Sequence, residues 1–155
     1  MSPEASAVRI ALVAAQWHGD HVDAATSSCI TELAEQGVDS DKDVNIFRAP
    51  GSLEIPLIAK RLALSGAWDA VIAFGLITDG GIYRHDFVGN AVISGLVDVA
   101  LATDVPVLSA VLTPQQRWDE NDTAQRDFFL EHLKGKGAEA ARSALATIEL
   151  LHSIP

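Results

Sequence analysis

Four short, mainly apolar segments, each followed by a turn and a stretch with helical spacing, constrain the fold of this chain most strongly. The segments are residues 8–15, 43–49, 71–77 and 105–112. Their length and β-branched content are typical of strands that are buried on both faces, as in parallel sheets. The intervening segments are long enough to be the crossover connections that parallel strands require.

The helical segments complete a pattern that is typical of α/β proteins. Apolar spacing predicts helices at residues 21–36, 53–65, 84–103, 123–133 and 138–151, and Lys134-Gly135-Lys136-Gly137 separates the last two. This order predicts a three-layer α/β/α sandwich around a flavodoxin-like, four-stranded parallel sheet. The chain has room for one domain, residues 1–155, with residues 1–7 as a loose polar arm. The polar segment 115–122 is predicted to be an exposed loop that carries Trp118.

Composition limits the kinds of partner that the chain is expected to bind and the cellular compartment in which it is expected. A formal net charge of -10 argues against binding to nucleic acid or an anionic membrane, because both select clustered Lys and Arg. The single cysteine, Cys29, excludes an internal disulfide, and its apolar helical surroundings favour an inert core thiol in a reducing compartment. No apolar run approaches the length of a membrane span, and the first residues lack the features of a signal peptide. We therefore expect a cytoplasmic protein.

The sequence contains no pattern that predicts a cofactor or a metal. The glycine motifs GxGxxG and GxxxxGK[ST], which bind dinucleotides and nucleoside triphosphates, do not occur. His18 and His21 are close in sequence but lack the carboxylate or cysteine partners that would complete a ligand set. We therefore expect no bound metal, and the binding of dinucleotides and nucleoside triphosphates lacks its usual sequence support.

The most informative candidate site is the stretch at residues 71–90. A buried strand runs into the turn Asp79-Gly80-Gly81, and Tyr-Arg-His-Asp follows at the start of a helix. Open α/β sheets bind ligands at this kind of strand-to-helix junction, because backbone N–H groups and the helix dipole point into the crevice. Trp17 follows the first strand, where a tryptophan is more often a core or lid residue, although the position also suits stacking on a planar ring. Glu54 falls in the first turn of the second helix, where the dipole alone would also explain a carboxylate.

Nearly the whole chain resembles the lumazine synthases of riboflavin biosynthesis. The most specific match is PGSLEIP at residues 50–56, which corresponds to the family pattern PGAxEIP. QWH at 16–18, GGIYRHDFV at 80–88 and LSAVLTP at 108–114 resemble the second, decameric type described from rhizobial bacteria.

This resemblance implies a cofactor-free reaction. The family condenses 5-amino-6-(D-ribitylamino)uracil with 3,4-dihydroxy-2-butanone 4-phosphate to 6,7-dimethyl-8-ribityllumazine, with release of phosphate and water. The implied substrate-binding residues are Trp17, Gly51, Ser52, Leu53, Glu54, Leu76, Ile77, Thr78 and Ser109. The implied phosphate-binding residues are Gly80, Gly81, Ile82 and His132. The implied catalytic residues are Arg84 and His85.

Several positions depart from the family pattern. The phosphate-binding Thr of the usual turn is replaced by Ile82, and the proton-transferring His is replaced by Arg84, with His85 one position later. Either His85 transfers the proton, or Arg84 only binds phosphate and substrate orientation supplies most of the rate. Ser109 stands where the family commonly has an aromatic residue. Arg126 and His132 are both candidates for the late phosphate-binding residue, and we favour His132.

The resemblance also implies partners and leaves alternative functions open. We expect small-molecule substrates and a homo-oligomer, either a pentamer or a decamer of two pentamers, in which neighbouring subunits share active sites. One alternative is a diverged paralogue that binds flavin or lumazine with little turnover. Another is an enzyme that acts on a different phosphorylated ketose. A fold alone does not decide among these functions.

Overall fold

The computed structural model describes residues 7–155; the rest of the predicted N-terminal arm lies outside the described residues. Its strands are β1 Ile10–Ala15, β2 Val44–Ala49, β3 Ala70–Leu76 and β4 Val107–Leu112. Its helices are α1 Gly19–Glu35, α2 Ile55–Leu64, α3 His85–Thr103 and α4 Thr123–Ser153, and a single 3-10 turn, Ser52–Glu54, precedes α2. All pairings in the sheet are parallel, in the order β2-β1-β3-β4. The predicted flavodoxin-like α/β/α sandwich is confirmed.

The two central strands explain why the sequence shows uninterrupted apolar runs. Every residue of β1 and β3 is buried, because one face of the sheet packs against α1 and α4 and the other against α2 and α3. Successive side chains alternate between the two faces. Ile10 and Leu12 therefore contact the α1 and α4 layer, whereas Ala11 and Val13 contact the α2 and α3 layer.

The prediction of two separate C-terminal helices is wrong, because α4 runs without interruption from Thr123 to Ser153. The glycines of the Lys134-Gly135-Lys136-Gly137 stretch lie within this helix. Gly137 is buried, and a Cβ built on it would overlap the backbone carbonyl of Ala25 in α1. Gly137 therefore allows α4 to cross α1 at backbone contact, and it does not end the helix.

The segment between β4 and α4 also differs from its predicted form. Residues 115–122 are largely exposed, but the side chain of Trp118 is buried. An isolated parallel bridge between Asp79 and Arg117 extends the β3–β4 pairing beyond the strands, and the Trp118 N–H donates to the Asp79 carbonyl at 2.8 Å. This pairing draws the segment against the carboxyl edge of the sheet, so that Trp118 becomes part of the core.

Cys29 lies in the core between α1 and α4, as predicted. Burial raises the pKa of its thiol to about 12. The prediction of a core thiol is confirmed, and because the thiolate is the reactive form, the raised pKa favours the unreactive protonated thiol.

Helix α3 is more apolar and more exposed than a surface helix usually is. By length and composition alone it could span a membrane, which contradicts the expectation that no segment could do so. This property is weak evidence for a span, because core helices of soluble proteins share it. Its exposed apolar side chains include Ile93, Val97 and Leu101. In this single chain, α3 thus carries an uncovered apolar face.

Candidate functional site

A cleft of about 680 Å³ opens at the carboxyl edge of the sheet, where β1, β2 and β3 end. This is the edge at which parallel α/β sheets place their ligands. Most of the predicted site residues line this single cleft: Trp17, Gly51, Ser52, Leu53, Glu54, Leu76, Ile77, Thr78, Gly80, Ile82, Arg84 and His85.

Trp17 and Glu54 meet at the turn that follows β2. A Cβ built on Gly51 would lie 3.0 Å from Glu54 Oε2 and 3.7 Å from Trp17 Nε1, so the carboxylate and the indole both pack against this glycine. Glu54 ends the 3-10 turn and occupies the N-cap position of α2, one step earlier than the predicted first helical turn, and its side chain makes no capping hydrogen bond. Trp17 keeps 70% of its surface exposed. A free indole face beside a carboxylate suits a planar heterocycle that carries a hydroxylated chain.

Some backbone N–H groups at the end of β3 and in the following turn already donate hydrogen bonds within the chain. The Ile77 N–H donates to the Leu112 carbonyl at 2.9 Å, and the Gly81 N–H donates to Asp79 Oδ1 at 2.9 Å. The amide of Gly81 therefore stabilises its own turn. Gly81 has a φ of 80°, a conformation that side chains other than glycine rarely adopt.

Two arginines surround the glycine turn. Arg84 donates two hydrogen bonds to the Asp86 carboxylate, at 3.1 and 2.8 Å, and its guanidinium lies 4.4 Å from the centre of the Phe87 ring. These hydrogen bonds raise the pKa of Arg84 and lower the pKa of Asp86. Arg84 is thus a permanent cation that cannot exchange protons near neutral pH.

The second arginine, Arg117, was not among the predicted site residues. A Cβ built on Gly81 would lie 2.8 Å from Arg117 Cζ, so the guanidinium lies directly against the glycine backbone. Among residues 7–155, no carboxylate lies within 4 Å of Arg117 as a salt-bridge partner. Arg117 therefore places an unpaired positive charge beside the turn.

Three predicted residues lie outside the lining of the cleft. Gly81 lies between two lining residues without contributing to the surface. Ser109 is an exposed residue of β4, and its Oγ accepts from the Val111 N–H at 3.3 Å. His132 lies on α4 and stacks on Phe128, with 5.7 Å between the ring centres. Neither Ser109 nor His132 lines the cleft of its own chain.

Arg126, the other candidate for the late phosphate-binding residue, also lies apart from the main cleft. It lines a smaller adjacent cavity of about 300 Å³, and its guanidinium is 3.7 Å from Asp20. In the described part of the chain, no group of three or more histidine, cysteine or acidic side chains is arranged to hold a metal ion.

Sequence reasoning missed several side chains that line the cleft, notably His18, Trp118 and Glu120. His18 adopts a left-handed backbone conformation, with φ 53° and ψ 49°, at the start of α1. The sequence contained local signals for it, namely the QWH motif at 16–18 and the nearby His21, but neither predicted that His18 lines the cleft. No local sequence pattern indicated Trp118 or Glu120, because the Asp79–Arg117 bridge beside them joins residues that are far apart in the sequence.

Comparison with known proteins decides the family. Residues 7–152 match the family model of 6,7-dimethyl-8-ribityllumazine synthase. This chain belongs to the lumazine synthase family. A 6,7-dimethyl-8-ribityllumazine synthase of Rhodococcus erythropolis is 48% identical to it, over 95% of this chain and 93% of that protein.

Two further relatives bear on the type of lumazine synthase. Both are named 6,7-dimethyl-8-ribityllumazine synthase 2. The Pseudomonas syringae protein is 41% identical over 94% of this chain and 84% of its own length. The Bradyrhizobium diazoefficiens protein is 45% identical over 90% of this chain and 82% of its own length. The predicted resemblance to the second type is confirmed.

Proposed function

We propose that this chain condenses 5-amino-6-(D-ribitylamino)uracil with 3,4-dihydroxy-2-butanone 4-phosphate to 6,7-dimethyl-8-ribityllumazine, without a cofactor. The observation that carries the proposal is the convergence of Trp17, Glu54 and the Gly80 turn on one cleft, in a chain of this family. Each supplies one of the three chemistries that the two substrates require: a stacking surface, a hydroxyl acceptor and an anion site.

The uracil substrate occupies the part of the cleft between Trp17 and the end of β3. The indole stacks on the pyrimidine ring and contributes roughly 1–3 kcal/mol, the range for stacking of bases on aromatic side chains. Main-chain groups of Leu76, Ile77 and Thr78 bind the edge of the ring. Glu54 accepts hydrogen bonds from the ribityl chain, beside the backbone groups of the Gly51-Ser52-Leu53 segment, which line the same side of the cleft.

The phosphate of the second substrate binds at the Gly80–Ile82 turn. The Gly81 amide already donates within the turn, so the charges of Arg84 and Arg117 take a larger share of phosphate binding. His132 lies away from the cleft of its own chain, and we assign it to the phosphate site of a neighbouring subunit. Ser109, an exposed residue of β4 outside the cleft, contributes to a substrate site only in the assembled oligomer.

The protein works as a homo-oligomer in the cytoplasm, as a pentamer or a decamer of two pentamers. Exposed apolar side chains support this assignment: Leu57 and Leu64 on α2, and Ile93, Val97 and Leu101 on α3. Apolar surface of this extent is typical of a protein interface. Because Ile82 and Tyr83 at the mouth of the cleft are more than 80% exposed, a neighbouring subunit is needed to close the site.

The proposal is tested by mixing the purified protein with the two precursors and following the fluorescence of the lumazine product. We expect turnover by the wild-type protein and a loss of kcat/KM of about tenfold to a hundredfold for Trp17→Ala, the equivalent of the stacking energy. Trp68→Phe is the matched control, because Trp68 packs against Phe47 and Arg9 and does not line the cleft.

Two outcomes of this assay would contradict the proposal. A tight flavin complex with no turnover would identify a binding paralogue. No turnover and no flavin binding by an oligomer of intact fold would point to a different phosphorylated substrate.

A further inference from the structure

His18 is held in an unusual conformation at the boundary of the cleft. Among residues 7–155, His18 and Asp104 are the only non-glycine residues with a positive φ. The left-handed region is unfavourable for side chains with a Cβ, and such residues concentrate at functional sites. Although His18 occupies the N-cap position of α1, its side chain makes no capping hydrogen bond. Helix capping therefore does not explain the conformation.

The imidazole of His18 reaches into the cleft and bonds to a residue at the end of β3. His18 Nε2 lies 3.0 Å from Thr78 Oγ1, and both residues line the cleft. The ring is fixed by edge contacts with Trp118 at 5.2 Å and His21 at 6.3 Å between centres. A hydroxyl on the cleft surface is thus backed by an immobilised imidazole.

The surroundings keep this imidazole neutral. Desolvation lowers the pKa of His18, and His21 on α1 lowers it further, whereas Glu120 raises it by a smaller effect than desolvation. Across the cleft, the charged or titratable groups are Glu54, Tyr83, Arg84 and His85. In the adjacent smaller cavity, which His18 also lines, they are Asp20, Asp119 and Arg126, beside His21 and Glu120. Below its ordinary pKa of about 6.5 a histidine is normally protonated, but here the ring stays neutral to lower pH and keeps a lone pair available.

We propose that His18 and Thr78 form the proton relay of the condensation. They take the role of the proton-transferring histidine of the family pattern, whose position Arg84 occupies in this chain. This inference rests on the proposed function. Thr78 contacts the substrate, and His18 acts through the Thr78 hydroxyl. That hydroxyl donates a hydrogen bond to His18 Nε2 when the imidazole is in the tautomer with a lone pair on Nε2. Among residues 7–155, the side chain of His85 makes no hydrogen bond, so only His18 is coupled to a hydroxyl of the cleft.

The relay serves the formation of the imine between the two substrates. The 5-amino nitrogen attacks the ketone carbon, an N–C bond forms, and the π electrons of the carbonyl move to its oxygen. For each of the two N–H protons in turn, the Thr78 oxygen accepts the proton while its own hydroxyl proton moves to His18 Nε2. The proton held on Nε2 then returns through Thr78, which delivers a proton to the carbonyl oxygen. The C–O bond breaks, water leaves and a C=N bond forms. The relay ends in the protonation state in which it began.

The test compares His18→Asn, Thr78→Val and His85→Gln in the fluorescence assay, each as the assembled oligomer over a range of pH. Asparagine tolerates the left-handed conformation but does not titrate. We expect His18→Asn and Thr78→Val each to lose about a hundredfold or more in kcat, the typical range for removal of general acid–base catalysis, with KM within about threefold of the wild-type value.

The pH profile separates a relay from a merely structural role. The wild-type kcat falls as the pH drops through the lowered pKa of His18, because a protonated ring cannot accept a proton. We expect this acid limb to disappear in His18→Asn and to persist in His85→Gln, which removes the competing candidate for proton transfer.

The outcomes also separate this inference from the proposed function. An active wild-type protein together with a His18→Asn or Thr78→Val enzyme of unchanged kcat and pH profile would overturn the relay alone. If His18→Asn fails to assemble, Thr78→Val decides the question by itself. A wild-type protein that makes no lumazine would overturn the proposed function and the relay with it.

Discussion

Two glycine-rich stretches are similar in sequence but differ in structure. Gly80 and Gly81 lie in the turn between β3 and α3, whereas Gly135 and Gly137 lie inside the continuous helix α4. The difference lies in what surrounds each glycine. Gly81 needs a positive φ, while Gly137 needs the space that a side chain would occupy against α1. A glycine pair therefore indicates either a backbone requirement or a close approach, and sequence alone does not distinguish them.

Replacement of Gly137 by alanine should have the largest effect on stability. The added methyl group would overlap the backbone carbonyl of Ala25, and neither backbone can move without separating α1 from α4. Because overpacking costs 1–3 kcal/mol and occasionally more, we expect the free energy of unfolding to fall by about 3 kcal/mol. Urea denaturation measures this loss. A change of less than about 0.5 kcal/mol would mean that the helix crossing is looser than described.

Replacement of Gly81 by alanine should reduce stability less than replacement of Gly137, but it should impair substrate binding more. The positive φ at this position costs a residue with a Cβ about 1–2 kcal/mol, and the methyl group would displace the Arg117 guanidinium. We therefore expect a higher KM for the butanone phosphate as well as a lower urea midpoint. Gly80→Ala is the matched control, because a Cβ there meets no atom within 4 Å. Equal behaviour of the two variants would refute the role assigned to Gly81.

Replacement of Gly135 by alanine should stabilise the protein. Gly135 is exposed within α4, and a Cβ there has open space around it. Alanine is more favourable than glycine in a helix interior by about 0.8–1.0 kcal/mol. Thermal and urea unfolding should show a gain of this size. A loss instead would indicate that α4 is bent or interrupted at this point in solution.

Replacement of Arg117 by alanine should have the smallest effect. The side chain is exposed, so its attraction for phosphate is screened by solvent and is worth about 1 kcal/mol or less. We expect a rise in KM for the butanone phosphate of threefold to fivefold at low salt, little change in stability, and a smaller difference from the wild-type protein at high ionic strength. Arg61→Ala, on α2, serves as the control for loss of a surface charge.

The sheet could be predicted from the sequence because burial leaves a local signature. The apolar runs of β1 and β3 are each enclosed by two helical layers, so they contain almost no polar residue. The convergence of Trp17, Glu54 and Gly80 also followed, because parallel strands bring the loops at their carboxyl ends together. In each case the three-dimensional result depends on residues that are close in sequence or on a general rule of topology.

The remaining features depend on contacts between distant residues. The burial of Trp118 and the position of Arg117 both follow from the bridge to Asp79, which lies 38 residues or more away along the chain. The hydrogen bond between His18 and Thr78 spans 60 residues. The close approach of Gly137 in α4 to Ala25 joins two different helices. None of these contacts leaves a pattern in the local sequence.

Because Cys29 is buried, the rate at which its thiol reacts reports how often the protein opens locally. With a pKa of about 12 and no solvent contact, the thiol resists alkylation as long as α1 and α4 stay together. The rate of labelling by a small thiol reagent therefore measures how often that layer opens under native conditions. Because the chain has a single cysteine, the readout needs no engineered probe.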